Sequence, residues 1–215
     1  TGTPTTEDVT TNPYTLSGLT PENDYQVYIR ADCGAGDTSD WVGPVSFTTP
    51  CAEISTFPST TDFTSNPPTD CWSQAGNGTP AEGPTGTTSS WNAGRSFNGV
   101  PSNRVNLYST GKEEWLISPT YAIPTGDAHE LVLTLAVTDW NSSSADANGM
   151  AGTDDQVQLL QTLDGGTTWT NLETWDSSNE PAYTGTAYTI DLTSLAGSSV
   201  QFALWGTEGT VNDAP

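Results

Sequence analysis

The chain has 215 residues, enough for one or two domains with a sizeable core, and it sets 26 Asp and Glu against 4 Lys and Arg, a formal net charge of −22. Such a surface repels nucleic acid and anionic membrane, since binding either relies on cationic side chains, and it attracts cations, with carboxylate oxygens favouring Ca²⁺. No apolar run is long enough to insert into a membrane, and short strands among Thr, Ser, Gly, Asn and Pro without helical periodicity predict an all-β, secreted or cell-surface protein.

Residues 1–50 read as part of a β-sandwich. Tyr14, Leu16 and Leu19 predict a strand that leads into the turn Leu19-Thr20-Pro21-Glu22-Asn23-Asp24-Tyr25. A period-2 strand follows, with Tyr25, Val27, Ile29 and Ala31 on one face and Gln26, Tyr28 and Arg30 on the other. A return strand over 45–49 completes an expected set of only four, where a sandwich of this kind needs about seven. The expectation is a partial module cut from a longer protein. Its apolar inner face (Leu16, Leu19, Val27, Ile29, Val45, Phe47) then needs cover from further strands or from another chain.

The cysteines are Cys33, Cys51 and Cys71, with no C-x-x-C pair and with the single His129 standing apart, so metal binding by them is disfavoured and disulfide use is expected. Cys33 ends one strand, and Cys51 lies past the far end of the strand that returns. At about 3.3 Å per residue they sit ~16 Å apart, beyond the ~7 Å limit for a bridge. The favoured pair is Cys51–Cys71, and Cys33 is left free.

The second domain, 51–215, shows short apolar segments separated by Gly, Pro, Asn and Asp. They predict strands over 54–63, 72–75, 90–97, 104–107, 114–117, 130–138, 155–162, 168–173, 187–192 and 200–205. Leu131, Leu133, Leu135 and Val137 alternate with Val132, Thr134, Ala136 and Thr138, the mark of a half-buried antiparallel strand. This pattern suggests a two-sheet jelly roll.

Several stretches carry family resemblances. The Leu-x-Pro-x-x-x-Tyr turn resembles the tyrosine corner of fibronectin type III modules, where the Tyr hydroxyl ties back to upstream backbone. FPSTTDF, PPTDCW, EEWLISPTYAI and DDQVQLLQTLDGGTTWTNLETW follow the order seen in MAM-like and cleaved-adhesin jelly rolls, which are common in secreted Bacteroidetes proteins, including the adhesin regions of gingipains. The resemblance implies a fibronectin-like module followed by a jelly roll that lacks its last strand. It also implies adhesion or glycan binding, with a glycan or surface protein as partner. Further copies of the chain in a stalk or filament, and an accessory role beside a polysaccharide-degrading enzyme or peptidase, are the alternatives. Related jelly rolls often hold a structural Ca²⁺ between the first strand and a later acidic loop. Carried over, Asp62 and Asp155 match best as metal ligands, with Asp154 and Glu113 as further positions.

Catalytic chemistry is scarce. Residues 162–169 fit the Asp-box pattern of sialidases, in which Asp164 caps a hairpin, Gly165 and Gly166 supply positive φ and Trp169 packs beneath. A sialidase needs an arginine cluster, and the chain has only Arg30, Arg95 and Arg104. His129 reads as an exposed loop residue with no G-x-S-x-G nearby. The pairs Glu113-Glu114 and Asp154-Asp155 are adjacent, so on a strand their side chains point to opposite faces. No catalytic residue is expected. Among the tryptophans, Trp72, Trp115 and Trp169 sit in packing positions, whereas Trp140 and Trp175, with Asp139 and Asn141, flank polar loops and are the glycan-binding candidates.

Overall fold

The computed structural model describes residues 5, 8–69, 71–97, 99–139, 142–146 and 149–211. The described chain is all-β, with antiparallel strand pairings throughout its named sheets. It divides into two compact units, Thr1–Ala52 and Glu53–Pro215.

The first unit contains a hairpin of β1 (Asp24–Ile29) and β2 (Val42–Thr48), with Tyr25 opposite Phe47 and Val27 opposite Val45. The turn before β1 is locked as its sequence implies: Thr20 N–H donates to the Tyr25 hydroxyl at 2.8 Å. The strand expected around Tyr14, Leu16 and Leu19 does not form; that stretch, punctuated by Pro13 and Gly18, stays irregular. Two strands, not four, are therefore present among the described residues of this unit.

In the second unit a five-stranded sheet runs in the order β3 (Ser73–Gly76), β6 (Glu113–Ala122), β11 (Ser199–Thr207), β8 (Gln156–Thr162), β9 (Thr170–Trp175). Two further two-stranded sheets are present, the hairpin of β4 (Asn92–Phe97) with β5 (Val100–Arg104), and the long-range pair of β7 (Glu130–Leu135) with β10 (Thr186–Asp191). The alternation read in the sequence holds in β7, where Leu131, Leu133 and Leu135 are partly buried between exposed neighbours, and β10 answers with Tyr188 and Ile190. These side chains pack on a core of Leu159, Trp175, Val200 and Phe202 from the five-stranded sheet.

The opposite face of that sheet is covered too. Ala75, Trp115, Leu160, Ala203 and Trp205 form a second core there, with Ile117 and Trp169 packed against it. Burial on both faces suits the adjacent apolar residues Leu159-Leu160 in β8 and Phe202-Ala203 in β11, which serve the two cores in turn. The segment over 54–63 is not a strand. It contributes one parallel bridge, Ile54 to Tyr121, before Pro58 removes a ladder donor. The strand expected at 104–107 instead lies earlier, as β5.

Cys51 and Cys71 are disulfide-bonded, as expected, and Cys33 is free and exposed. Closing a loop of this length stabilises the chain by about 3 kcal/mol.

Candidate functional site

The acidic residues with motif character hold backbone. Asp164 Oδ1 accepts from the N–H groups of Thr167 and Thr168 at 3.0 and 2.9 Å, and from Thr162 Oγ1 at 2.7 Å; Oδ2 accepts from Thr168 Oγ1 at 2.6 Å. Gly165 and Gly166 turn with φ of 70° and 91°, and the Trp169 ring lies 5.4 Å from that of Trp115. The Thr168 hydroxyl, then the Thr168 N–H and the Thr162 hydroxyl, lower the Asp164 carboxyl to about 2. The Asp-box is therefore a hairpin clamp.

Glu113 and Glu114 serve different partners, as their opposed faces require. Glu113 Oε2 accepts from Gly78 N–H at 2.7 Å, while buried Glu114 accepts from the N–H and hydroxyl of Ser90, both at 2.7 Å. They hold the two ends of the 77–90 segment, Glu113 at Gly78 and Glu114 at Ser90. Lys112 Nζ lies 4.0 Å from Glu114.

The four calcium candidates divide. Asp62 lies apart in sequence and accepts from the N–H and hydroxyl of Thr64 at 3.1 and 3.0 Å. Asp154 accepts from the N–H and hydroxyl of Thr210 at 2.8 and 2.9 Å and from Val211 N–H at 3.3 Å, and these bonds lower its pKa. Asp155 and Glu113 lie at the same end of the five-stranded sheet as Asp154, because Thr207 is registered with both Gln156 and Glu113. Glu208 follows Thr207 directly and is fully buried. Sequence reasoning missed Glu208; its position just beyond the apolar run of β11 was the available signal. Among the described residues, no three of Asp62, Glu113, Asp154 and Asp155 bring ligand oxygens within 4.8 Å of one another.

Of the glycan-binding candidates, Trp140 and Asn141 lie outside the described residues. Trp175 is a correction. It is 1% exposed, the last residue of β9, paired with Val157 and edge-on to Tyr188 at 5.0 Å. Register turns its ring into the core, so it offers no face to a sugar. Asp139 is exposed, and its N–H donates to Ser144 O at 3.1 Å. His129 is likewise not the exposed loop residue expected: its Nε2 is enclosed, and its ring sits 5.9 Å from that of Phe57.

The first unit presents the apolar surface that was anticipated. Ile29, Val45 and Phe47 are 66%, 67% and 36% exposed along the face that also carries Tyr25 and Val27. Nearby Trp41 is 53% exposed, with the Arg30 guanidinium 4.7 Å from its ring centroid. Neither residue was singled out as a binding feature in the sequence, although Arg30 is the only cation within the first 52 residues.

No protein-family model matches the chain, and no curated protein or solved structure is significantly similar to it.

Proposed function

We propose that this chain is a non-catalytic adhesion segment of a larger extracellular modular protein, binding a surface protein or glycan through its first unit. The observation that carries the reading is the exposed apolar face of the β1–β2 hairpin. A contiguous apolar surface is an interaction feature on a chain whose charge otherwise keeps it dispersed. The Trp41–Arg30 pair adds the residue types that dominate binding energy at interfaces. The disulfide is compatible with an oxidising, extracellular setting. The structural employment of Asp164, Glu113, Glu114 and Asp154 supports the non-catalytic part.

A structural Ca²⁺ belongs to the same proposal. Asp155 and Glu208, with Glu113 and Asp154, supply hard oxygens at one end of the five-stranded sheet, a donor type that suits this ion.

The test is a binding screen paired with a turnover screen. The chain is applied to a glycan array and to surfaces coated with mucin or collagen, and incubated with chromogenic glycosides, esters and peptides. Saturable binding without turnover is expected. Turnover abolished by substituting a single acidic residue would overturn the proposal.

A further inference from the structure

We propose that β1 pairs edge to edge with β1 of a second copy of this chain, antiparallel, with Val27 opposite Val27 across a twofold axis. The inference rests on reading the first unit as a binding surface, and it names one partner for that surface.

A two-stranded hairpin has two outer edges, and here they differ. β2 carries Pro44 in mid-strand, which has no N–H to donate and blunts that edge. β1, Asp-Tyr-Gln-Val-Tyr-Ile, contains neither proline nor lysine. Thr49 N–H donates to Asn23 O at 3.0 Å, so the alternation of an antiparallel ladder places the bonded pairs at 25/47 and 27/45. The peptide groups of Gln26 and Tyr28 then face outward, where no other strand among the described residues pairs with β1. Gln26 is exposed, and Tyr28 and Ile29 are 48% and 66% exposed.

Self-pairing about Val27 satisfies every position of the strand. Tyr25 falls opposite Ile29 of the other copy on the apolar face, and Gln26 opposite Tyr28 on the polar one. Asp24 falls opposite Arg30. Strand-centred shifts of two residues lose that ion pair, and odd shifts mix the two faces. Arg30 is the only cation of its unit in a chain of net charge −22. Each twofold contact thus supplies two opposite-charge pairs from chains that otherwise repel. The product is a four-stranded sheet with one continuous apolar face, where a lone hairpin is marginal.

Sedimentation velocity on the full chain carrying Cys33→Ser tests this, because that background keeps the Cys51–Cys71 bond and removes the free thiol. At about 0.15 M salt, where charges beyond ~8 Å are screened, a monomer–dimer equilibrium is expected. Arg30→Asp and Asp24→Arg each place like charges in opposition and weaken association about tenfold. An equimolar mixture of the two variants restores complementary pairs and recovers dimerisation. Val27→Cys in the same background cross-links spontaneously, since a non-bonded antiparallel pair has Cα atoms ~4.5 Å apart. A chain that stays monomeric at every concentration, single variants that associate like the parent, or a mixture that fails to recover would each overturn the inference. A monomer that still binds a coated surface sinks this inference and leaves the adhesion reading standing; a dimer that binds none does the reverse.

Discussion

Trp115 and Trp205 share one acceptor: both indole N–H groups donate to the carbonyl oxygen of Gly78, at 2.9 and 3.2 Å, with their rings edge to face at 6.4 Å. The two residues are directly registered on β6 and β11. Their shared bond fixes a loop over a sheet face that would otherwise be solvated. Buried indole N–H groups need partners, and one carbonyl with two lone pairs meets both needs.

That geometry makes Gly78 intolerant of any side chain. Its φ is +95°, and a Cβ there would lie 2.0 Å from Gly83 O. Gly78→Ala is expected to destabilise the second unit by about 3 kcal/mol, through strain and displacement of the loop. Trp115→Phe, which keeps the ring and loses the donor, is expected to cost about 1–2 kcal/mol. Urea denaturation with tryptophan fluorescence measures both; equal midpoints for Gly78→Ala and the parent would contradict the sealed-loop account.

Asp164 predicts an acid limb in the stability profile. Its folded carboxyl lies near 2 against an ordinary 3.8, so the unfolded chain takes up the proton first. The stabilisation is complete above about pH 4 and fades as pH falls towards 2. Asp164→Ala is expected to lower Tm at pH 7, with the difference from the parent shrinking over that window. Asp154, Asp176 and Asp191 are lowered for similar reasons, by Thr210, Ser178 and Thr193 respectively. A gap in Tm that stays constant from pH 7 to pH 2 would rule the clamp out.

Replacing both Cys51 and Cys71 with Ser is expected to cost about 3 kcal/mol. Calorimetry of that variant beside Cys33→Ser separates the bridge from the free thiol. Equal melting of all three proteins would show that the bridge adds nothing.

The fold was legible where one face of a strand meets solvent. β7 was readable because its partner β10 leaves the other side exposed, so Leu131, Leu133 and Leu135 stand out by parity. The central strands, covered on both sides, gave their position more readily than which side meets which core. Trp175 shows the consequence: polar neighbours suggested a rim, and only its pairing with Val157 reveals the core. Residues 54–63 looked like a strand by composition, yet Pro58 and the positive φ of Phe63 prevent a ladder. The Thr20–Tyr25 tie and the Asp164 clamp were legible because each is a local hydrogen-bond device encoded within a few residues. Glu208 was not, because its burial at the end of β11 depends on packing between distant segments.

Calcium is expected to raise the melting temperature of the second unit, and Asp155→Asn or Glu208→Gln to abolish the shift. Differential scanning calorimetry in millimolar Ca²⁺ and in chelator measures it. Identical melting in the two conditions would remove the ion from the account.

The central claim, that this chain acts by binding through its first unit, is tested most directly by comparing surface-face variants on one captured ligand. Ile29→Ser with Val45→Ser makes the exposed hairpin face polar, and Trp41→Ala removes the ring beneath Arg30. Binding to whichever coated surface or array glycan the parent recognises is then read by surface plasmon resonance. The account predicts at least a tenfold loss of affinity in both variants, with the near-ultraviolet dichroism of the buried tryptophans of the second unit unchanged. Undiminished binding by both variants would contradict it.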